Sequence, residues 1–490
     1  MNLVEPILWH GRSEPDTIAL VDNDRTITYG ELAKLVLRTA GYLCALGIRR
    51  GDYVGLCLKD DWRHVVALLA VARLGAIFVQ IDPRSRPAEK ARIAAAFDYK
   101  FLLTMQDVDV NANYTTVVLD AAWDRGVAQA EAPSSLPYEW HDPMAVQSTA
   151  GTTGLSKFTV ATHLQFYFRA ASYREIMPPI RHHRYLATLP LFFGYGRNLC
   201  LLHLLHGSTL IFFPNLFRPT EFVEAATRHR ATIAAVVPAN VRQLLAAASD
   251  AEALLPGLEL LLSSGAPLFA DEKRRTLCQL TPHFYEVYAA SALGPISVLG
   301  PQDIPRSADS VGRPFPLANV EIVDEHDRPV RHGETGRLRC RGPALAPPIP
   351  GQSVDDFREG WHYPGELAAF DYCGYIHIHG RTSEVVFRAG SKIFPMEIEA
   401  VLQAHEKVAD AAVVAHAAAG NEADLAAYVV AKGEITPGQL LAHCRQRLTP
   451  YKIPQQIHIV PELPRNASGK VDKRALTNRS ASVTPHPQGR

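Results

Sequence analysis

The sequence predicts an α/β protein with a large N-terminal domain of layered α/β subdomains and a small α+β domain at the C-terminus. Its length of 490 residues exceeds what one hydrophobic core usually supports, so two or more domains are expected. Through most of the chain, apolar strand-like runs alternate with helix-like periodicity, which is typical of parallel α/β layers. Apolar strands and amphipathic helices recur near the C-terminus over a shorter length, which indicates a second, compact unit.

The first α/β layer begins with a helix and a strand–helix–strand unit. Thr28 and Glu31 have the spacing of a capping box, so a helix is expected to begin just after Thr28. A strand at 53–58, an apolar helix at 65–74 and a strand at 76–81 follow. Strand, helix and strand at this spacing predict a parallel pair of strands.

The same alternation continues into the second half of the chain. Strand-like apolar runs are predicted at 184–189, at 233–238 and from Leu258 into a glycine turn. The small domain is predicted to contain a helix at 396–402, strands at 411–415 and 425–430, and a helix at 437–448.

Composition and charge exclude several classes of function. Lys plus Arg (50) equals Asp plus Glu (50), so no net field favours nucleic acid or an anionic membrane. The seven cysteines are scattered without a C-x-x-C pair, so neither a disulfide framework nor a zinc site is indicated. The N-terminus lacks a signal-peptide pattern, and no apolar stretch is long enough to span a membrane. We expect a soluble, cytoplasmic protein without nucleic-acid or membrane partners.

The segment 148–157 has the composition of an anion-binding loop. Its glycines let backbone N–H groups turn toward phosphate oxygens, its hydroxyls donate hydrogen bonds, and its lysine supplies a positive charge. It is not a Walker A loop, because Leu155 and Ser156 separate the second glycine from the lysine. A flexible surface turn is the alternative for the loop alone. The candidate phosphate ligands are Thr149, Gly151, Thr152, Thr153, Gly154 and Lys157.

This loop resembles the phosphate loop of the adenylate-forming enzymes, which include acyl-CoA synthetases, adenylation domains and luciferases. It differs at Ser156, where the family prefers Pro, and at Phe158, where it prefers Gly. Further family motifs follow in the same order over nearly the whole chain. The stretch 464–473 resembles the last of them and implies that Lys470 is the mobile catalytic lysine.

The resemblance implies a set of nucleotide-binding residues outside the loop. It places adenine against a glycine turn and a stacked tyrosine, and ribose or phosphate against a hydroxyl, a carboxylate and an arginine. These residues are Gly265, Ala266 and Pro267 in the turn, then Tyr288, Ser291, Glu366 and Arg381. Glu366 stands where the family has Asp, one methylene shorter, and remains an acceptor with two oxygens.

Three positions depart from the family pattern. Ala292 replaces the glutamate that ligates Mg²⁺, Ala289 replaces a glycine, and Ser383 occupies the hinge position that is commonly Asp or Lys. Loss of the carboxylate should weaken metal binding unless another group or water substitutes. The metal ligands therefore stay unassigned, and Glu286, the nearest acid, is a hypothesis. A small hinge residue can still absorb the dihedral change of a domain rotation.

An aromatic, glycine-bearing segment follows the strand at 184–189 and is a candidate acyl pocket. Its residues are Phe192, Phe193, Tyr195 and Gly196. Such a composition suits the wall of a pocket for a flat ligand, and on pattern alone a core strand with aromatic packing is an equal alternative. The segment looks most like that of benzoate-type aryl-CoA ligases, whereas many other family members carry His at the position of Phe193.

The resemblance implies an ATP- and Mg²⁺-dependent ligase for an aromatic acid of benzoate or hydroxybenzoate type. An acyl-AMP forms with release of pyrophosphate, and a phosphopantetheine thiol of CoA or of a separate acyl carrier protein then takes the acyl group. The alternatives are a non-catalytic ATP-binding homologue and an amide-forming or luciferase-like adenylating enzyme. We expect a monomer or homodimer.

The resemblance also implies the domain boundaries. A large domain at 1–382 includes a β-rich subdomain, a small mobile domain spans 383–476, and a disordered tail covers 477–490, where serine, proline and polar residues accumulate.

Overall fold

The computed structural model describes residues 2–106, 114–133, 139–149, 157–177, 183–214, 216–249, 252–349, 355–388, 391–417, 423–465 and 470–481. The helices are Glu5–Ser13 (α1), Tyr29–Ala45 (α2), Trp62–Arg73 (α3), Pro87–Phe97 (α4), Ala121–Gln129 (α5), His163–Tyr173 (α6), Gly194–Leu205 (α7), Pro219–Arg228 (α8), Pro238–Ala247 (α9), Ala270–Arg275 (α10), Ile304–Ser307 (α11), Pro395–Gln403 (α12), Pro437–Arg445 (α13) and Lys473–Ala481 (α14).

The strands are given in chain order. They are Ile18–Asp22 (β1), Arg25–Thr28 (β2), Tyr53–Cys57 (β3), Ile77–Gln80 (β4), Phe101–Thr104 (β5), Thr115–Val118 (β6), Pro143–Thr149 (β7), Lys157–Thr162 (β8), Arg184–Ala187 (β9), Thr209–Phe212 (β10), Ile233–Val236 (β11), Leu260–Ser263 (β12), Phe284–Ala290 (β13), Gly294–Leu299 (β14), Arg313–Pro314 (β15), Asn319–Val323 (β16), Gly336–Arg341 (β17), Phe357–Arg358 (β18), Trp361–His362 (β19), Glu366–Phe370 (β20), Ile376–Arg381 (β21), Val386–Arg388 (β22), Ser391–Ile393 (β23), Val408–Ala417 (β24), Ala423–Ala431 (β25) and Gln456–Ile459 (β26).

The capping box predicted at the start of α2 is confirmed. The Thr28 hydroxyl accepts a hydrogen bond from the Glu31 backbone N–H at 3.3 Å. The Glu31 carboxylate accepts one from the Thr28 N–H at 2.9 Å. Two N–H groups that a helix start leaves without partners are satisfied in this way, so local sequence alone determines where α2 begins.

Two sheets form the layers of the large domain. One follows the order β6-β5-β3-β4-β7-β8, and β3 pairs with β4 in parallel as predicted. The other follows the order β15-β14-β13-β12-β11-β9-β10-β1-β2, with parallel pairing from β13 to β1 and antiparallel pairs at both ends. β1 thus lies in a different sheet from β3, although only one helix separates them in sequence beyond the β1–β2 hairpin.

A shared hydrophobic core joins the two sheets. It contains residues of α2, α3, α6 and α7 together with strands of both sheets. α3 is buried along its length from His64 to Ala72 because its side chains are apolar on nearly every face. The two layers therefore form one unit, and the ends of their strands can contribute to one site.

A β-rich subdomain follows the second sheet. Its strands pair in the order β18-β19-β17-β20-β21, and β16 pairs with β17. The antiparallel pair β20–β21 places Glu366 directly opposite Arg381. This hairpin brings two candidate nucleotide-binding residues together through backbone register alone.

The C-terminal part of the chain has its own core. β24, β25 and β26 form a sheet, and α12 and α13 pack on one face around apolar residues that include Ile398, Val413 and Leu440. α14 covers the other face through Leu476. The boundary between 382 and 383 stays a prediction.

The expected tail requires a correction. α14 runs to Ala481, so residues 477–481 are helical, because the apolar face that ends at Leu476 holds the helix against the sheet. Residues 482–490 lie outside the described part of the chain. Among the helices within that part, each falls short of the length and hydropathy that a bilayer span requires.

Candidate functional site

The centre of the candidate site joins the second sheet, the β-rich subdomain and the C-terminal domain. Tyr288 lies on β13, Glu366 begins β20, Arg381 ends β21, and Lys470 comes from the segment before α14. The Tyr288 hydroxyl donates a hydrogen bond to Glu366 Oε2 at 3.1 Å. The Arg381 guanidinium lies 3.6 Å from Glu366 Oε1. Three residues from separate parts of the sequence, Tyr288, Arg381 and Lys470, therefore lie around the Glu366 carboxylate.

Burial shifts the pKa values of Glu366 and Tyr288. It raises the pKa of Glu366, whereas Arg381, the Tyr288 hydrogen bond and Lys470 act in the opposite direction. Burial and the adjacent Glu366 carboxylate also raise the pKa of Tyr288 well above its ordinary value, so its hydroxyl stays a donor. The carboxylate is thus held among donors and cations, an environment suited to hydroxyl groups of a ligand.

Lys470 is half-buried and lies close to the same carboxylate. Burial lowers the pKa of its ammonium, Arg381 lowers it further, and Glu366 raises it. Lys470 therefore lies within electrostatic reach of both residues of the large domain. Two cations close to one carboxylate make this centre a candidate for binding an anionic group such as a phosphate.

The predicted adenine turn lies at the same edge of the sheet. Gly265 follows β12 with φ +101°, a conformation that favours glycine. Because Ser263 of β12 pairs with Glu286 of β13, the turn after β12 lies next to the part of β13 that carries Tyr288. Ala266 and Pro267 complete the turn, and the Pro267 carbonyl accepts a hydrogen bond from Arg242 at 3.2 Å. Its predicted adenine contact stays a prediction.

The phosphate loop is described only at its ends. Thr149 ends β7 and Lys157 begins β8, and the two residues pair in an antiparallel register. Gly151, Thr152, Thr153 and Gly154 lie outside the described residues. Ser291 is exposed in the turn after β13. The phosphate contacts of all these residues stay predictions.

The position of the missing metal ligand is filled differently. Ala292 is buried, and its carbonyl accepts hydrogen bonds from Arg169 Nη2 at 2.6 Å and from the Ala346 N–H at 2.8 Å. Glu286, our hypothetical substitute, instead forms a buried ion pair with Lys273 at 2.5 Å. In the described ranges, no group of three or more His, Cys, Asp or Glu side chains could hold a metal ion. The structure therefore gives Glu286 a structural partner in place of a metal.

The predicted acyl segment surrounds the start of α7. Phe192 and Phe193 contact edge to face with ring centroids 5.6 Å apart, and the Arg84 guanidinium lies 5.3 Å from the Phe192 ring. Tyr195 packs against the main core, and its hydroxyl is buried. A Cβ at Gly196 would lie 2.6 Å from the carbonyl oxygens of residues 189 and 190, so close backbone packing explains this glycine.

The hinge candidate and one missed residue complete the site. Ser383 is exposed in the 3₁₀ turn Thr382–Glu384, directly after β21.

Arg197 on α7 was not singled out from the sequence, although it is the single Arg, Lys, Asp or Glu in the otherwise uncharged segment 194–205. A lone cation in an apolar helix was the available signal.

Comparison with known families identifies the chain. Residues 8–348 match the sequence model of the AMP-binding enzyme family, and residues 397–470 match that of its C-terminal domain. This chain belongs to the AMP-binding enzyme family. The recognised resemblance and the expected fold, a large N-terminal and a small C-terminal domain, are thereby confirmed.

Individual relatives extend over nearly the whole of this AMP-binding enzyme. A 2-succinylbenzoate–CoA ligase from Bacillus licheniformis is 28% identical over 475 residues, which cover 94% of this chain and 97% of that protein. An indoleacetate–CoA ligase from Aromatoleum aromaticum is 27% identical over 496 residues, which cover 96% and 97%. A solved o-succinylbenzoate coenzyme A synthetase from Bacillus subtilis, in complex with ATP and magnesium ion, has a TM-score of 0.87 at 24% identity and covers 97% of this chain and 98% of its own.

Proposed function

We propose that this AMP-binding enzyme is an ATP-dependent acid–thiol ligase that activates an aromatic carboxylic acid through an acyl-AMP intermediate. The observation that carries the proposal is the arrangement of Tyr288, Arg381 and Lys470 around the Glu366 carboxylate. It combines a lysine of the C-terminal domain with a largely buried carboxylate of the large domain, as expected for a site that binds a nucleotide between them. CoA is the proposed thiol, supported by relatives that are CoA ligases.

Each residue of the centre has a proposed role. Glu366 would accept hydrogen bonds from the ribose hydroxyls, the Tyr288 ring would stack on adenine, and Arg381 would contact ribose or phosphate. Lys470 would contact the acid's carboxylate and the α-phosphate, where its charge offsets the charge that develops in the transition state. The protein's part is mainly positioning and charge stabilisation.

The proposed reaction has two steps. In the first, a carboxylate oxygen of the acid bonds to the α-phosphorus while the bond from that phosphorus to the bridging oxygen breaks, and pyrophosphate leaves with the electron pair. In the second, the thiolate sulfur bonds to the acyl carbon, the acyl–oxygen bond breaks and AMP leaves. Exposed Ser383 lies where a rotation of the C-terminal domain between the steps would be absorbed.

ATP and Mg²⁺ are the proposed cofactors, supported by the solved relative that holds both. The centre fits the nucleotide, because it offers donors, an acceptor pair and an aromatic ring. Ala292 offers no carboxylate to the ion, and Glu286 is paired with Lys273. We therefore propose that phosphate oxygens and water hold the ion.

An aromatic acid of benzoate or hydroxybenzoate type is the proposed substrate class. The edge-to-face pair of Phe192 and Phe193 supplies flat apolar surface at the start of α7. Two relatives named as ligases of succinylbenzoate and indoleacetate, which are both aromatic acids, support this choice.

The test is pyrophosphate release by the purified enzyme with ATP, Mg²⁺ and a panel of aryl and fatty acids. Release restricted to aryl acids and lost in Lys470→Ala would support the proposal. Lys432→Ala, which alters an exposed lysine of the same domain, is the matched control and should keep full activity. Release that is equally fast in Lys470→Ala would contradict the assigned centre.

A non-catalytic ATP-binding homologue is the second candidate. Ala292, Ala289 and Ser383 favour it, since each departs from the family pattern. This candidate predicts ATP binding without pyrophosphate release from any acid of the panel. Equilibrium binding of ATP, measured beside turnover, separates the two candidates.

A further inference from the structure

The start of α7 presents free backbone donors next to the proposed acyl pocket. Its first helical hydrogen bond runs from the Arg197 N–H to the Phe193 carbonyl at 3.0 Å. Phe193 provides no side-chain cap. In the described part of the chain, the N–H groups of Gly194, Tyr195 and Gly196 have no acceptor. The N-terminus of α7 therefore combines three aligned N–H donors with the positive end of the helix dipole.

Arg197 adds a buried cation to these donors. Arg197 is only 2% exposed to solvent. Its Nη2 atom is 3.9 Å from the point where a Cβ on Gly194 would lie. The guanidinium therefore turns back toward the start of the helix. The rings of Phe78 and Phe166 flank it at 5.6 and 5.8 Å.

No described carboxylate balances this charge. Arg197 forms no ion pair with any residue in the ranges that the structure covers, and its buried Nε has no hydrogen-bond partner there. Burial lowers the pKa of Arg197, and the adjacent cation Arg169 lowers it further.

Gln147 supplies one more unsatisfied donor at the same place. This residue is 3% exposed and precedes the phosphate loop on β7. Its Oε1 lies 3.2 Å from the point where a Cβ on Gly194 would lie, and its buried Nε2 has no partner among the described residues. Glycine at 194 keeps this space open, because any side chain there would enter it.

A purely structural role for Arg197 and Gln147 is unfavourable, because leaving their buried polar groups without partners costs free energy of folding. A buried cation without a counter-ion, and a buried side-chain amide donor without an acceptor, destabilise a folded protein. Aromatic rings offset part of that cost for Arg197. A ligand that brings a negative charge and several acceptor atoms would satisfy all of these groups at once.

We propose that this site binds a second carboxylate on the acid substrate, so that the substrate is an aromatic dicarboxylic acid. The inference rests on the proposed function, since it places the acid beside Phe192 and Phe193. One carboxylate reacts near Lys470, and Arg197, Gln147 and the start of α7 hold the other. These residues determine specificity and do not contact the reacting phosphorus.

The test compares diacids with their half-esters. Benzoic acids that carry a second carboxylate on the ring or on a short side chain are assayed by pyrophosphate release beside the matched monomethyl esters, which keep the reacting carboxyl. The wild-type enzyme should prefer the diacid in kcat/KM by on the order of a hundredfold, because the ester leaves Arg197 uncompensated. Arg197→Met should reduce this ratio to a few-fold, and Arg197→Lys should retain part of it.

Control measurements separate the possible failures. Arg228→Met, which alters an exposed arginine on α8, should leave the ratio unchanged. An unchanged ratio in Arg197→Met would overturn the inference while leaving the proposed function intact. If kcat/KM also falls by the same factor for diacid and ester, Arg197 acts on the reacting carboxylate that both acids share.

Ligand-dependent thermal stability tests the same site without turnover. At equal concentration the diacid should raise the unfolding midpoint of the wild-type enzyme more than the half-ester does. In Arg197→Met this difference should disappear, while the unliganded midpoint rises because an uncompensated buried charge has been removed. Equal shifts by diacid and ester in the wild-type enzyme would overturn the inference even if no acid supports pyrophosphate release.

Discussion

Replacing Glu366 by glutamine tests the centre of the nucleotide site most directly. The carboxylate accepts the Tyr288 hydroxyl at 3.1 Å and lies 3.6 Å from Arg381, and its side chain is largely buried. Glutamine has the same shape, so packing is retained while the charge and one acceptor oxygen are lost. The change therefore separates electrostatics from volume.

The magnitude follows from the proposed ribose contact. Each hydrogen bond to a charged acceptor contributes about 1.5–3 kcal/mol, and glutamine removes one such bond and weakens the other. A loss of about 2–4 kcal/mol in ATP binding corresponds to roughly a 30-fold to several-hundredfold weaker affinity. We expect this loss in Glu366→Gln.

The assay is equilibrium binding of ATP together with the KM for ATP in pyrophosphate release. Glu359→Gln, which alters an exposed carboxylate near the same sheet, is the matched control and should bind ATP normally. An unfolding curve for each variant shows whether the fold is retained. A change in ATP affinity below about threefold in folded Glu366→Gln would refute the ribose role of this carboxylate.

Three other substitutions test the pKa of the lysine, a buried ion pair and a helix cap. Arg381→Ala removes a cation that lowers the pKa of Lys470, so the pKa of Lys470 should rise. The alkaline limb of the pH profile for pyrophosphate release should then move to higher pH. An unshifted limb would argue against the proximity of Arg381 and Lys470. Lys273→Met leaves Glu286 buried without its partner and should lower the free energy of unfolding in denaturant by about 3–5 kcal/mol. Burial already raises the pKa of Glu286, so protonation favours the folded state and the loss should shrink as the pH falls; a loss independent of pH contradicts this assignment. Thr28→Ala should cost about 1 kcal/mol in the same denaturant assay, and an effect near zero would show that the capping box does not stabilise α2.

The buried ion pair also clarifies the metal question. Lys273 donates a hydrogen bond to the Ser310 carbonyl at 2.7 Å in addition to its contact with Glu286. Both side chains are nearly inaccessible to solvent, so a metal at Glu286 would require this pair to break. Mg²⁺-dependent turnover, if present, should therefore be insensitive to the ionisation of Glu286.

Local sequence was sufficient wherever short-range physics determines the structure. The capping box of Thr28 and Glu31 specifies the start of α2, and apolar periodicity locates β3, α3 and β4 within a residue or a few, because these signals depend on neighbours along the chain. The order of motifs likewise identified the family and the four residues of the centre, since each motif is a short continuous stretch.

Long-range pairing decided what the sequence left open. Nothing local to residues 18–22 indicates that β1 joins a strand near residue 210, because parallel pairing depends on how distant strands bury their shared core. The partner of Glu286 was equally hidden, since Lys273 reaches it only after α10 packs against β13. Tertiary packing also turns an arginine in an apolar helix into an uncompensated cation, because only the fold shows that Arg197 and Gln147 meet at Gly194 without an acid among the described residues.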